Sequence, residues 1–319
     1  MKFIKNNMTV ILSLIILLFI GSQVTTTFLG SKNIINIMGQ LSTNMLLTYS
    51  LTLVIISGGI DLSVGPMVAS SGIILLIALN NGIPFIFSLL LVIFYGISMG
   101  AMNGLIITKF NLAPFIVTLS TSFIIRGIGL VITDGTTLTV GNDFLYKIGQ
   151  EKLFDIFPYS FIVVMIATIF MFLLLNYTKL GTHIYAIGGN EKASKQSGIN
   201  VSKIKTITYI ISAIFACIAG VLLTARMYSA SPRIGTGYEV DAIAAAVLGG
   251  VSFSGGVGTV GGAFLGGIFM AILNNALNSM QVNESMQLVL KGLILVVAVI
   301  IDMISAKRKR HQKLVSNIV

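Results

Sequence analysis

The stretch YTKLGTHIYAIGGNEKASKQSGINVSKIK, residues 177–205, is the one long polar segment in a chain made almost wholly of apolar runs. It carries five lysines, one histidine and a single acidic residue, Glu191. Asn190 can cap the backbone N–H groups that follow it, and Gly198 supplies a left-handed stop. The sequence therefore predicts a short helix over Lys192 to Ser197, with Glu191 in its first turn. Two interpretations are open: a plain basic loop between two membrane helices, or a helix that a cytosolic partner grips.

The composition around this segment is that of a polytopic membrane protein. Hydrophobic residues make up 55% and charged residues 9% of the 319 positions, whereas about 25% of an ordinary soluble domain is charged. The net charge of +10 comes from basic residues gathered in loops and at one terminus, which points to membrane topology and not to nucleic acid. With one cysteine and two histidines, neither a disulfide framework nor a metal site is expected.

The predicted fold is all-α, a single transmembrane domain over residues 1–319. About 20 apolar residues cross a bilayer. The N-terminal run resembles a signal peptide but has no clear cleavage site, so we expect it to be the first span. The eighth span is too short for a straight helix, which predicts a broken or re-entrant segment. The ten candidate spans are 8–29, 36–57, 64–80, 84–107, 113–132, 158–176, 206–227, 241–254, 259–279 and 286–304.

The distribution of lysine and arginine predicts the orientation. With the N-terminus inside and ten crossings, thirteen of the 20 basic residues fall on the inner side, as the positive-inside rule requires. Both termini are then cytoplasmic, with a basic tail over 306–319 and a cytoplasmic loop over 177–205. The main outer segment, 133–157, is a bare connection, a cover over a pore mouth or a contact for an extracellular partner.

Small and polar residues interrupt the apolar runs at two places. The first is GGIDLSVG, residues 58–65, whose glycines permit bends and close packing. Asp61 is either part of a solute path or an acid that caps a helix at the membrane surface. The second is the glycine-rich region 235–267, which permits broken helices along a path. The candidate residues for the translocation path or its gating are Gly58, Gly59, Asp61, Ser63, Gly65, Glu239, Asp241, Gly249 and Gly250.

Charged residues near these interruptions have alternative interpretations. Glu239 and Asp241 either form a structural ion-pair cluster with the nearby Arg226 and Arg233 or contact a ligand directly. Two further basic residues, Arg126 and Lys291, lie within or near the ends of spans. Each is either functional or snorkels towards the membrane interface.

Two short internal alignments suggest a duplication. Residues 58–65 match 249–256, and residues 59–63 match 237–241. In the predicted topology only the second alignment places the matching pieces on opposite sides, as an inverted repeat requires.

The sequence contains membrane spans but no motif for ATP hydrolysis. The phosphate-binding pattern GxxxxGK[ST] does not occur, and neither a nucleophile–base–acid set nor a metal motif is present. We therefore expect a transport protein, not an enzyme, with no cofactor bound by this chain.

Three blocks resemble the membrane permease subunits of bacterial ABC importers for ribose and other simple sugars, a family that includes autoinducer-2 permeases. The resemblance runs from about residue 36 to 304. Where the family usually has two alanines the chain has Ala193-Ser194, and Val240 replaces a frequent leucine; both changes conserve size. The blocks are SGGIDLSVG at 57–65, YAIGGN at 185–190 with SGI at 197–199, and GYEVDAIAA at 237–245 followed by LGG at 248–250.

The resemblance implies the other subunits of the importer. A cytoplasmic ATPase subunit would hydrolyse ATP-Mg, an extracytoplasmic sugar-binding protein would deliver the solute, and a second permease chain, identical or homologous, would complete the path in the bacterial cell membrane among its lipids. Segment 190–198 would be the helix that couples to the ATPase. The implied coupling residues are Asn190, Glu191, Lys192, Ala193, Ser194, Gln196, Ser197 and Gly198.

Alternative functions stay open. An ion-coupled secondary transporter would work without an ATPase, although acids within the spans are sparse. A related importer permease could carry autoinducer-2, nucleosides, branched-chain amino acids or another small polar solute. A passive channel would conduct without ATP.

Overall fold

The structure is a computed structural model that describes residues 8–24 and 28–316. Lys2 and Lys5, which contributed to the predicted orientation, lie outside the described residues, as do positions 317–319 of the predicted basic tail.

The described chain is a helical bundle with four very short strands. The helices are α1 (Met8–Val24), α2 (Ser31–Ile56), α3 (Val64–Asn80), α4 (Phe85–Lys109), α5 (Pro114–Thr133), α6 (Asp143–Gln150), α7 (Tyr159–Tyr177), α8 (Lys179–Gly189), α9 (Glu191–Gln196), α10 (Val201–Met227), α11 (Tyr238–Leu248), α12 (Val260–Ser279) and α13 (Glu284–Ser316). The strands are β1 (Leu138–Thr139), β2 (Lys152–Leu153), β3 (Phe157–Pro158) and β4 (Ser229–Ala230). Strand β1 pairs antiparallel with β4, and β2 pairs antiparallel with β3.

Seven of the described helices are long and apolar enough to cross a membrane, namely α2, α4, α5, α7, α10, α12 and the first 21 residues of α13. The all-α polytopic fold is confirmed. Ten full-length spans are not, because three of the predicted ones correspond to shorter helices: α1, with 17 residues, α3, with 17 residues, and α11, with 11 residues. The predicted span 241–254 is broken, since α11 ends at Leu248 and Gly250 has a left-handed φ of 81°.

The bundle has a buried centre and an apolar exterior. Helix α10 packs along α2, α3 and α4, and α2 is buried over most of its length. The outer helices instead expose large apolar side chains, including Phe94, Ile124, Phe170 and Leu293. A surface of this kind suits contact with lipid.

Three irregular segments shape the interior. We call residues 57–63, between α2 and α3, the first break; residues 228–237, between α10 and α11, the second break; and residues 249–259, between α11 and α12, the glycine loop. Each lies next to a short helix, so together they decide where α3 and α11 begin and end.

The short helices α3 and α11 begin close together and run to opposite ends of the bundle. The first turn of α3 lies against Gly235, just before α11. Helix α3 then leads to Asn80, whose amide donates to the carbonyl of Thr139 at 3.2 Å. Helix α11 leads the other way to the glycine loop, where the N–H of Gly256 donates to the carbonyl of Ile56 at 2.8 Å. We call this second end, which also holds α8 and α9, the α9 end.

The two internal alignments fare differently in the structure. Gly58, the first residue of segment 58–65, packs against Gly255 of segment 249–256 at the α9 end. The opposite directions of α3 and α11 are compatible with the other alignment, 59–63 with 237–241. The inverted repeat stays a prediction.

Candidate translocation and coupling sites

The first break encloses a fully buried carboxylate. Asp61 and Ser63 are both 0% exposed. One oxygen of Asp61 accepts from the backbone N–H of Ser63 at 3.0 Å and from its hydroxyl, while the other accepts from the hydroxyl of Ser212 on α10 at 2.9 Å. Ser212 lies about 16 Å along the axis of α10 from Val201, given the rise of an α-helix. Asp61 is therefore inside the bundle, and its interpretation as a capping acid at the membrane surface is wrong.

Polar side chains from three further helices extend this network. The side-chain amide of Asn103 on α4 donates to the hydroxyl of Ser63 at 3.0 Å. The hydroxyl of Thr121 on α5 donates to the side-chain oxygen, Oδ1, of Asn103 at 2.7 Å. Ser50 on α2 shares a hydrogen bond of 2.8 Å with Ser212. Because every member is buried and bonded, the network fixes the break and leaves no group of Asp61 free for a solute.

The starts of α3 and α11 meet at Gly65. A Cβ added to this residue would overlap the carboxylate of Glu239 and come within 2.7 Å of the carbonyl oxygen of Gly235. Arg126 on α5 lies at the same level, where its guanidinium donates to the carbonyl of Pro232 in the second break at 2.6 Å. This arginine is thus held by protein groups inside the bundle.

A cavity of about 590 Å³ lies beside the second break, lined by α2, α10, α11, α12 and α13. On its wall, Asp241 forms an ion pair with Lys291 of α13, with the Nζ and Oδ2 atoms 2.8 Å apart. The side-chain amide of Asn274 on α12 donates to the same Oδ2 at 3.1 Å. The ion pair and this hydrogen bond join α11 to α12 and α13.

The ion-pair partners expected from the sequence are wrong. Within the described residues, Arg226 and Arg233 form no ion pair with Glu239 or Asp241, although both arginines line the cavity. The actual partner, Lys291, is 50 residues from Asp241 along the chain. Sequence proximity misled here because the turn of the second break carries the arginines away from the carboxylates.

The short helix predicted within the polar segment is present as α9. The side chain of Asn190 accepts from the N–H of Ala193 at 3.0 Å, and Gly198 has a left-handed φ of 84°. Glu191 pairs with Lys205 at 2.6 Å. Apart from the buried Ser194, the residues of α9 are exposed, a group that comprises Glu191, Lys192, Ala193, Lys195 and Gln196.

Helix α8, which precedes α9, contacts the end of α2 and the glycine loop. A Cβ added to Gly188 would overlap the carbonyl oxygen of Ile56. Tyr185 donates its hydroxyl to the carbonyl of Gly258 at 2.8 Å, and burial raises the pKa of this phenol, so it stays a neutral donor. Gly189 lies against Gly256. We call these contacts the glycine junction, and through them α8 meets both the end of α2 and the glycine loop.

The glycine candidates for the path fall into two groups. Gly58 and Gly59 lie near the glycine junction, where Gly59 faces the hydroxyl of Tyr209. Gly249 and Gly250 follow α11, and a Cβ on Gly249 would come within 2.3–2.8 Å of the backbone of Gly262 and Ala263. None of these four lines the cavity within the described chain.

Several polar residues of the interior were missed by sequence reasoning. Asn103, Ser212 and Asn274 each lie within a long apolar run. An isolated amide or hydroxyl in such a run is the signal that could have found them, because a polar group at membrane depth needs a partner. Among the described residues, no group of three His, Cys, Asp or Glu side chains could hold a metal ion.

A family described as the permease component of branched-chain amino acid transport systems matches residues 33–299. The chain belongs to this permease family. The permease is 40% identical over 292 residues to the ribose import permease protein RbsC of Bacillus subtilis (strain 168), which covers 91% of each chain. It is 38% identical over 295 residues to the ribose import permease protein RbsC of Haemophilus influenzae, again with 91% of each chain covered.

A third relative is named for a different sugar, D-allose. The permease is 36% identical over 298 residues to the D-allose transport system permease protein AlsC of Escherichia coli (strain K12), covering 93% of this chain and 91% of the relative. No solved structure matches the chain. The resemblance to sugar permeases of ABC importers is confirmed, and the permease is a multi-pass protein of the bacterial cell membrane.

Proposed function

We propose that this chain is the transmembrane permease subunit of an ATP-driven importer that carries a ribose-like monosaccharide into the cytoplasm by alternating access. The observation that carries the proposal is the glycine junction, which joins an exposed, capped helix to both irregular connections of the bundle. The named sugars of the relatives, ribose and allose, support a simple sugar as the solute.

In this proposal α9 docks on a cytoplasmic ATPase subunit. All of its side chains except that of Ser194 are exposed, Asn190 caps it, and Gly198 ends it, so it needs no ordering when a partner binds. The proposed docking segment comprises Asn190, Glu191, Lys192, Ala193, Ser194, Gln196, Ser197 and Gly198, of which the buried Ser194 supports the helix by donating to the carbonyl of Asn190. Both termini would then be cytoplasmic, on the same side as the α9 end.

Movement of α9 would reach the interior through backbone contacts. The carbonyl of Ile56, which ends α2, accepts from Gly256 and packs against Gly188. Such close contacts transmit displacement well because no flexible side chain lies between them. ATP-Mg bound and hydrolysed on the ATPase would therefore shift α2 and the glycine loop together, and no cofactor is needed on this chain.

Two further partners complete the importer. An extracytoplasmic sugar-binding protein would deliver solute to the end opposite α9, and a second permease chain, identical or homologous, would complete the path. The alternative solutes within this family are autoinducer-2, nucleosides or another small polar molecule. An ion-coupled secondary transporter is the less favoured mechanism, because it gives the exposed α9 no role.

The test is uptake of radiolabelled D-ribose by proteoliposomes that hold the permease with a cognate ATPase subunit and sugar-binding protein. We expect uptake that requires ATP inside the vesicles and survives collapse of ion gradients. Uptake without the ATPase that stops when an ion gradient collapses would show the proposed mechanism to be wrong.

The docking role is tested by charge exchange. The double variant Glu191→Lys with Lys192→Glu, and deletion of 190–198, should abolish both uptake and copurification of the ATPase. The matched control is Glu151→Lys with Lys152→Glu, an exposed pair of the same composition that lies outside α9. If uptake and copurification survive all changes within 190–198, α9 is not the docking element.

A further inference from the structure

The cavity beside the second break has two unpartnered acceptors on its wall. The Oδ1 atoms of Asp241 and Asn274 are both buried, and neither accepts a hydrogen bond from another described residue. Asp241 is only 4% exposed as a whole. Buried polar atoms in folded proteins are almost always paired, so two neighbouring exceptions that line one cavity point to a ligand that donates hydrogen bonds.

Lys291 and Asn274 determine which oxygen of Asp241 is left without a hydrogen-bond partner. Both donate to Oδ2 of Asp241, which leaves Oδ1 as the free acceptor. The ammonium of Lys291 compensates the carboxylate charge of Asp241.

The rest of the lining matches a polyhydroxyl solute. Thirteen of the seventeen described residues that line the cavity have polar side chains, and five of these are amides. Amides both donate and accept, as sugar hydroxyls do. The ring of Tyr238 adds one aromatic surface against which the C–H face of a sugar can pack.

Position and size fit a solute in transit. The volume of about 590 Å³ lies in the range of small-molecule sites. The cavity reaches Asn278 and Glu284, at the junction of α12 and α13, on the far side of α11 from the glycine loop. It is thus placed away from the α9 end, on the side where a binding protein would release its sugar.

We propose that Asp241, Asn274 and Lys291 form a transient binding site for the hydroxyl groups of a neutral monosaccharide on its way through this chain. The site deepens the proposed function and rests on it. Its occupancy is brief, because a transport site must release its ligand, and a few hydroxyl contacts on one wall suffice for weak binding.

The test measures protection of a cysteine at the cavity rim. Asn278→Cys is placed in the permease, whose only cysteine, Cys217, is buried. The complete importer in nanodiscs is labelled with a polar thiol reagent, with and without D-ribose or D-allose. We expect saturating sugar to slow labelling about fivefold. The matched control is Ser279→Cys, the exposed neighbour that does not line this cavity, and its labelling should not change.

A second substitution links protection to the site. Asn274→Leu, which keeps the approximate size of the side chain but removes both its unpartnered acceptor and its donor to Asp241, should abolish protection at Asn278→Cys. Protection that persists in Asn274→Leu, or equal slowing at both cysteines, would overturn the site. Protection by L-leucine in place of the sugars would overturn its ligand class.

The result can be separated from the proposed function. ATP-dependent uptake of D-ribose by the unsubstituted permease tests the function by itself. If the unsubstituted permease takes up D-ribose, and if Asn274→Leu changes neither transport nor the protection of Asn278→Cys, the cavity site is wrong and the importer function stands. If no sugar is taken up, the function fails first.

Discussion

The two breaks hold acidic residues in opposite surroundings. At the first break, Asp61 is completely enclosed, and both of its oxygens accept hydrogen bonds from hydroxyl and backbone donors of the protein. At the second break, Asp241 lines a cavity, where one of its oxygens accepts from Lys291 and Asn274 and the other is buried without a partner. A closed network specifies structure, whereas an unpartnered acceptor beside a cavity is available to a solute.

This difference separates two roles that the sequence presents alike. Both acids lie in short polar interruptions of apolar runs, and both were candidates for the path. A buried acid whose partners are all supplied by the protein stabilises one backbone arrangement. We therefore expect substitutions at the first break to cost stability and substitutions at the second break to cost transport.

The largest expected effect is that of Asp61→Ala. The change leaves the N–H and hydroxyl of Ser63 and the hydroxyl of Ser212 without their acceptors, so the free energy of unfolding should fall by about 4 kcal/mol. Thermal unfolding can be followed with a fluorogenic thiol dye, because Cys217 is buried and becomes reactive only on unfolding. The control is Asp143→Ala, an exposed carboxylate. Equal melting temperatures for the two variants would contradict the closed network.

Gly65→Ala should have the next largest effect, because it tests where the two short helices meet. The added methyl group would overlap the carboxylate of Glu239, and the strain should lower the free energy of unfolding by about 2 kcal/mol. Gly127→Ala on α5 is the matched control, since its Cβ would meet nothing within 4 Å. Both variants are compared in the same dye assay. A neutral Gly65→Ala would mean that the starts of α3 and α11 are not in contact.

A comparable effect on stability, of about 2 kcal/mol, is expected for Gly188→Ala at the glycine junction, where the added methyl group would overlap backbone atoms. The methyl group would push against the end of α2 and so reach the first break from the α9 end. ATP hydrolysis should continue while sugar uptake falls. Gly189→Ala, one residue later, whose added Cβ would meet nothing within 4 Å, should keep hydrolysis and uptake coupled. If ATP hydrolysis and sugar uptake stay coupled in Gly188→Ala, the glycine junction does not transmit force.

The smallest effect on stability is expected for Asp241→Asn. The amide keeps the shape of the side chain, and the cavity allows water to solvate Lys291, so the free energy of unfolding should change by about 1 kcal/mol or less. Sugar uptake should nevertheless fall sharply. A stability loss as large as that of Asp61→Ala would remove the contrast between the two breaks.

Much of the fold follows from local patterns. The apolar runs predict most helices to within a few residues, and the short helix α9 follows from Asn190 as its cap and Gly198 as its stop. The breakdown of span 241–254 follows from its length and its glycines. The count of full-length spans does not follow, because hydropathy alone cannot distinguish a helix that crosses the bilayer from one that begins inside the bundle.

The candidate site was only partly predictable. The sequence drew attention to Asp61, Asp241 and Lys291, but it linked Asp241 with the wrong basic residues. It also gave no sign that Asn274 would lie beside Asp241, since the two belong to different helices separated by the glycine loop. Pairings of this kind depend on how helices pack and not on spacing along the chain.

The sequence by itself determined that this protein is a helical membrane permease with one exposed, capped helix. Those properties depend on hydropathy and on hydrogen bonds between near neighbours, which the order of residues specifies directly. Only the tertiary structure decided that both oxygens of Asp61 are hydrogen-bonded, whereas Asp241 lines a cavity and has one oxygen without a partner. That distinction depends on which distant side chains surround each carboxylate, because burial and hydrogen-bond partners arise from the packing of several helices at once.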